Sequence, residues 1–174
     1  MLIDSKRPFF WVLALLIAFL TGIIVYQQYQ KIAKKNQIVI YTGAGPVKIN
    51  VEYADTPEKL TSGLMNQPGL PKFSGMLFIF PDEKIREFWM KDTLIPLEIM
   101  FVGTKGRINE IMTMKPCPPE QPDDLSFGRA GAPDALICPI YTSKEPARFA
   151  IEVNAGFTER ARIIEGDILE ISGF

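Results

Sequence analysis

The sequence contains no histidine, and this absence excludes a large group of reaction mechanisms. Ser-His-Asp and Cys-His catalysis both need an imidazole, and so do histidine-ligated zinc, copper and iron sites. Cysteine is almost as scarce, with only Cys117 and Cys138, and no nucleotide-binding fingerprint occurs. We therefore expect no metal site and no cofactor.

Basic residues are not in excess, although the formal net charge of −1 is unevenly distributed. The first 35 residues contain five Lys or Arg and one Asp, so the remainder carries a net charge of −5. A mildly acidic domain without a basic block argues against a nucleic-acid partner.

The N-terminus holds the longest apolar run, PFFWVLALLIAFLTGIIVY over residues 8–26. It carries no charge and is close to the ~20 residues that a helix needs to cross a bilayer. A cleaved signal peptide is the main alternative, but no Ala-x-Ala cleavage site follows the run. We expect residues 1–35 to be a membrane anchor with a juxtamembrane stalk, and residues 36–174 to be a single domain.

Basic residues flank residues 8–26 at both ends, so their charge does not predict on which side of the membrane the domain lies. The two cysteines provide an indication of the side. Cys117 and Cys138 bracket a proline-rich stretch, which is typical of a disulfide in an oxidising compartment. Two unrelated thiols are the alternative. The disulfide interpretation predicts a domain on the extracytoplasmic side, periplasmic or extracellular.

Short alternating segments beyond the anchor predict a predominantly β domain. Residues 38–41 and 47–53 predict a hairpin, and residues 76–80 predict a buried strand followed by a turn at Pro81. Helix-start signals follow Ala54 and Asn154. The predicted class is α+β, with a compact curled or barrel-like, mainly antiparallel sheet and two short helices after one transmembrane helix. Spacing alone leaves a sandwich open.

The candidate site is a polar bend between the apolar blocks 88–90 and 99–101. Pro96 cannot donate a ladder hydrogen bond, so the middle of this stretch is predicted to bend. No catalytic residue can be assigned from the sequence. The candidate ligand-binding residues lie at the bend or near it in the predicted fold: Met65, Trp89, Met90, Lys91, Asp92, Thr93, Glu98, Glu152 and Asn154.

Four segments resemble a family of small bacterial and archaeal proteins, domain of unknown function 192. They are Gly63-Leu64-Met65, Ser74-Gly75-Met76-Leu77-Phe78-Ile79-Phe80, the block from Phe88 to Glu98, and Glu152-Val153-Asn154-Ala155-Gly156. The resemblance spans roughly Val47 to Ile171. It implies a compact, mainly β domain, often behind an export signal or membrane segment, and no established activity. Asn is usual in that family at the place of Asp92, and Asp at the place of Glu98.

Three hypotheses about function remain open at this point. The first is a membrane-tethered accessory module that binds a small ligand or a protein partner in a pocket around the Lys91–Glu98 bend. The second is a carboxylate-dependent hydrolase or lyase acting on an extracytoplasmic polymer through Asp92, Glu98 or Glu152. The third is a purely structural bend. The sequence does not decide whether the protein is an enzyme.

Overall fold

The structure, a computed structural model, describes residues 14–24, 36–117 and 138–170. The chain divides into two units after Asn36. In the first unit, helix α1 is described over residues 14–24. None of the helices in the three described stretches combines the length and apolar character that a membrane crossing requires. The predicted span, residues 8–26, lies partly outside the described residues.

The described part of the second unit contains nine strands and two short helices. Their order is β1 (Gln37–Thr42), β2 (Gly45–Ala54), α2 (Pro57–Ser62), β3 (Ser74–Lys84), β4 (Glu87–Trp89), β5 (Leu97–Val102), β6 (Ile108–Met114), β7 (Ile140–Thr142), β8 (Ala147–Asn154), α3 (Phe157–Ala161) and β9 (Ile168–Glu170). The prediction of a predominantly β fold with two short helices in this unit is confirmed.

Seven of these strands form one sheet in the order β6-β5-β8-β3-β2-β1-β9. All neighbours in it pair antiparallel except β2 and β3, which are parallel. A parallel pair needs a crossover connection, and the segment that carries α2 provides it. Strands β4 and β7 form a separate two-stranded sheet.

The large sheet curls until its two edge strands meet at one end. Arg107 and Ile168 form a bridge, and the Leu169 amide donates to the Gly106 carbonyl at 2.7 Å. Gly106 has φ +77°, and a Cβ at this position would collide with the Leu169 carbonyl. Glycine is therefore required where the edges approach. The result is a curled half-barrel, as the predicted barrel-like sheet anticipated.

The alternation of side chains across the strands creates two hydrophobic cores. One face of the curled sheet, with α3, encloses the inner core: Ile38, Ile40, Ile49, Val51, Leu77, Met100, Val102, Ile108, Phe149, Ile151, Val153, Phe157, Ile163 and Leu169. The opposite face, mainly from β3, β5 and β8, supports the outer core: Ala54, Leu64, Met76, Phe78, Phe88, Met90, Leu97, Ile99, Phe101, Met114, Ala147 and Ala150.

The structure corrects two local predictions. The turn predicted at Pro81 is wrong, because β3 continues to Lys84. Pairing with β8 is irregular between Ile79 and Lys84, so Pro81 lies where no ladder amide is needed. Strand β7 was not predicted, since its three residues lie in a proline-rich stretch and are ordered by pairing with β4.

Candidate functional site

The predicted bend between β4 and β5 is present and is tied to the segment after α2. Within it, the Thr93 amide donates to the Met90 carbonyl at 3.2 Å, and the Thr93 hydroxyl donates to the Lys91 carbonyl. The Asn66 amide donates to the Asp92 carbonyl at 2.7 Å, which links the bend to the α2 segment. The bend is therefore a structural junction at the border of the outer core.

Asp92 contributes its backbone conformation to this junction. It has φ +51°, and its side chain is exposed. Asn and Asp enter this left-handed region more readily than other non-glycine residues. The Asn that is usual at this place in the resembling family satisfies the same backbone requirement. The departure from Asn to Asp at this place is thus conformationally conservative.

Glu98 faces the inner core and accepts hydrogen bonds from backbone amides at the start of helix α3. Its two carboxylate oxygens accept hydrogen bonds from the Gly156 amide at 2.7 Å and the Thr158 amide at 2.9 Å. Amides in the first turn of a helix have no partner within the helix, and a carboxylate is well suited to accept from them. The structure therefore places Glu98 away from the outer face, with both oxygens occupied.

Asn154 also has a structural contact. Its side-chain amide donates to the Leu70 carbonyl at 2.9 Å and to the Pro71 carbonyl at 3.3 Å. These bonds hold the loop between α2 and β3 against the end of β8. Met90 is buried in the outer core, and the Lys91 ammonium lies 5.7 Å from the centre of the Trp89 ring.

Four of the nine predicted residues, Met65, Trp89, Thr93 and Glu152, line one cavity on the outer face. We call it the lateral pocket, and its volume is about 460 Å³. Helix α2 and the residues that follow it form one wall, the bend and β4 form another, and β3 and β8 form the floor. The other lining residues are Leu60, Thr61, Ser62, Gly63, Leu64, Phe78, Phe80, Ile85, Arg86, Glu87 and Phe88.

Glu152 is the buried acidic residue of this pocket. It lies on β8 between Met76 of β3 and Ile99 of β5, and its side chain is buried. Its Oε2 atom has no hydrogen-bond partner in the structure. Burial raises the pKa of the Glu152 carboxyl to about 8, because the charged form loses its hydration. At neutral pH the group is therefore mostly a protonated acid.

The aromatic floor of the pocket and Arg86 were not predicted as site residues. Phe88 packs edge-on against Phe78, with ring centres 5.0 Å apart, and against Phe80 at 6.3 Å. The Arg86 guanidinium lies 4.0 Å from the centre of the Phe80 ring and pairs with Asp82 at 2.6 Å. The uninterrupted apolar run at residues 76–80 predicted Phe78 and Phe80 as core, but nothing local indicated that they border a cavity.

The predicted disulfide between Cys117 and Cys138 is present. Cys117 packs against the outer core, and its amide donates to the Met90 carbonyl at 3.4 Å. A structural disulfide indicates an oxidising, extracytoplasmic environment. The segment between the two cysteines, residues 118–137, lies outside the described residues.

Fold and site together define a small curled-sheet domain with a lateral pocket on the outer face of the sheet. The model of domain of unknown function 192, described as an uncharacterized ACR, matches residues 38–171. The chain belongs to this family, as the resemblance had implied. A search of curated proteins finds no match.

The solved structures that are similar to the chain include the following two. A "putative transcription regulator" from Sinorhizobium meliloti 1021 has 28% sequence identity and a TM-score of 0.62, over 77% of this chain and 91% of that one. A protein of unknown function from Novosphingobium aromaticivorans DSM 12444 has 25% identity and a TM-score of 0.63, over 77% and 83%. The domain thus has a fold shared with these two proteins.

Proposed function

We propose that this chain is a membrane-tethered, extracytoplasmic module that binds a small ligand in the lateral pocket. The observation that carries the proposal is the Oε2 atom of Glu152, which is buried beside a cavity and has no partner. An unsatisfied buried polar atom costs free energy, and native structures contain few of them. A ligand that contacts Oε2 would remove this cost.

The size and lining of the pocket support the proposal. Ligand sites typically have volumes of about 300–1,000 Å³ and combine apolar walls with a few polar groups. The lateral pocket, at about 460 Å³, lies in this range. Its walls include Phe78, Phe88 and Trp89, and Glu152 supplies a polar group at the floor. Arg86 and Glu87 add charge at the β4 side.

The hypothesis of a carboxylate-dependent hydrolase draws support from one observation. A carboxyl whose pKa lies near 8 is suited to donate a proton at neutral pH, as a general acid does. A second carboxylate is needed on the same substrate, however. Glu98 faces the inner core and Asp92 is not among the pocket-lining residues, which leaves the exposed Glu87 as the second carboxylate of the lining. Neither partner that the hypothesis named lies beside Glu152, so the binding proposal fits the geometry better.

Tethering by residues 8–26 belongs to the same proposal. The described part of this stretch, residues 14–24, is helical, and large apolar side chains such as Leu15, Phe19 and Ile24 are exposed. Such a surface is stable in a lipid environment. Alkaline carbonate washing of membranes should leave the full chain in the pellet and release a chain that starts at Asn36. Release of both would contradict the tether.

Binding can be tested with a variant that fills the pocket. Thr61 is an exposed residue of α2 that lines the cavity, and Glu58 is an exposed residue of the same helix that does not. Ligand-observed NMR would follow 2-phenylethanol and 2-phenylethylammonium with the full chain in nonionic detergent. We expect at least one probe to bind the wild type and Glu58→Trp saturably, and Thr61→Trp to lose this binding.

Two results would contradict the binding proposal. In one, neither probe binds the folded wild-type chain at millimolar concentration. In the other, a probe binds all three proteins equally, because such binding would not involve the pocket. Circular dichroism of each variant checks that the sheet is retained.

A further inference from the structure

We infer that the lateral pocket is built for an organic ammonium ion, which the Glu152 carboxylate accepts at the floor while aromatic rings enclose the apolar part of the ligand. This inference rests on the proposed ligand-binding function and specifies the chemical class of the ligand. Three features of the pocket carry it: the unpartnered carboxyl oxygen, the ring faces, and the charges around them.

The unpartnered oxygen defines what the ligand must supply. Oε2 of Glu152 lies below Gly63, where an added Cβ would be 3.7 Å from it and 3.2 Å from the Phe78 ring. A side chain at this position would crowd the ring, so glycine keeps the carboxyl from being covered by one. A ligand N–H donor that enters the lateral pocket beside Gly63 can donate to Glu152, and a charged donor forms a stronger hydrogen bond to a carboxylate than a neutral one does.

The rings around this oxygen favour a cation. Aromatic faces carry partial negative charge and attract ammonium and guanidinium groups within about 6 Å. The domain already uses its pocket rings in this way, since Arg86 lies over Phe80 and Lys91 lies near Trp89. Phe78 and Phe88, which meet edge-on next to Glu152, extend the aromatic surface at the floor.

The charged groups around Glu152 are electrostatically compatible with an incoming cation. The α2 wall, residues 60–65, contributes no charged side chain, and neither do Met76 and Phe78 of β3 or Ile99 of β5. On the β4 side, Arg86 is paired with Asp82, and Glu87 adds a negative charge. Burial is the cause of the pKa shift of Glu152, with no contribution from a neighbouring charge.

Binding of an ammonium ion to this site displaces one proton. The free pocket holds Glu152 as –COOH, and the complex holds –COO⁻ beside R–NH₃⁺, so the carboxyl proton passes to solvent. At pH 7, one unit below a pKa of about 8, roughly one carboxyl in ten is ionised. Affinity should therefore increase about fivefold from pH 7 to pH 8, because the ionised fraction increases by this factor.

The test uses 2-phenylethylammonium and its uncharged analogue 2-phenylethanol, titrated calorimetrically into the full chain in nonionic detergent. Repeating the titration in phosphate and in HEPES, two buffers with different ionisation enthalpies and no primary ammonium group, gives the number of protons released. We expect the ammonium ion to bind more tightly than the alcohol, to release close to one proton at pH 7, and to bind about fivefold more tightly at pH 8.

Two variants that remove one carboxyl each locate the effect. Glu152→Gln should abolish both the proton release and the preference for the ammonium ion, while it retains binding of 2-phenylethanol. Glu52→Gln makes the same change in an exposed carboxylate of β2 that does not line the pocket, and it should leave both the proton release and the preference intact. The reverse pattern would overturn the inference.

Failure of this inference is distinguishable from failure of the proposed function. If the alcohol binds as tightly as the ammonium ion, or the ammonium ion binds without proton release, the pocket binds ligands but is not built for a cation. If neither probe binds the wild type, or both bind Thr61→Trp as well as the wild type, the binding proposal fails with it.

Discussion

Three glutamates are buried in the described part of the domain, and two of them, Glu98 and Glu152, have opposite surroundings. The third, Glu110, pairs with the Lys144 ammonium at 2.8 Å. Glu98 and Glu152 lie on the neighbouring strands β5 and β8, one residue apart in register, so their side chains project to opposite faces. On the inner face, helix α3 supplies an amide to each oxygen of Glu98. On the outer face, Oε2 of Glu152 has no partner and borders a cavity.

This difference separates a structural carboxylate from a functional candidate. A buried carboxylate that is fully hydrogen-bonded helps to fix the elements around it. A buried carboxyl without partners costs stability and is typical of sites where a ligand or a reaction uses it. The comparison predicts different consequences when the charge of each glutamate is removed.

The largest expected effect is the pH dependence that Glu152 gives to stability. Its pKa is about 8 in the folded domain and 4.5 in the unfolded chain. The folded state therefore holds the proton more tightly, and stability falls as pH rises from about 4.5 to about 8. The full decrease is on the order of 5 kcal/mol. Urea unfolding at a series of pH values, followed by Trp89 fluorescence, measures it.

Glu152→Gln should remove this dependence, because the amide does not titrate. The free energy of unfolding of the variant, relative to the wild type, should therefore increase between pH 5 and pH 8. A difference that stays constant over this range would show that Glu152 is not a buried, high-pKa group.

The second effect is a loss of about 3 kcal/mol in Glu98→Gln, because one of the two backbone amides of α3 would then face an –NH₂ group. Glu52→Gln, at an exposed position of β2, is the matched control and should change stability by less than about 0.5 kcal/mol. Probe binding should be retained in Glu98→Gln, since this side chain faces the inner core. If Glu98→Gln and Glu52→Gln were equally stable, Glu98 would not have the structural role that distinguishes it from Glu152.

The smallest effect concerns the wall of the pocket. Thr56 is the N-cap of α2, and its hydroxyl accepts from the Lys59 amide at 3.4 Å. Thr56→Ala should cost about 1 kcal/mol, as loss of an N-cap does. Hydrogen exchange of the Lys59 and Gly63 amides should increase, and exchange in the inner core should not. Thr61→Ala, within the same helix, is the control that should leave this exchange unchanged.

Local sequence features were enough to predict most strands and the disulfide. The alternation of Val47, Ile49 and Val51 identified β2, and Thr56-Pro57-Glu58 marked the start of α2. These features depend on neighbours in the chain, and so they can be recognised without the fold. The short strand β7 could not be predicted in this way, because only pairing with β4 orders it.

The candidate site was predicted in part, and the missing part has a definite cause. Among the residues predicted from the sequence, Trp89, Thr93 and Glu152 line the pocket. Glu98 and Asn154, which were also predicted, form hydrogen bonds with backbone groups instead. All five are polar or aromatic residues beside apolar blocks. Nothing in their local sequence tells whether a backbone donor, a backbone acceptor or an empty space will meet the side chain.

The polar bend between residues 88 and 101 shows which features follow from the sequence and which follow only from the tertiary structure. The sequence by itself determined that the chain bends there, because Pro96 has no amide hydrogen to donate. It also determined that Glu98 and Glu152 would be adjacent to strongly apolar residues. Only the tertiary structure decided that one glutamate meets helix α3 and the other a cavity, because strand pairing and register assign each side chain to a face of the sheet.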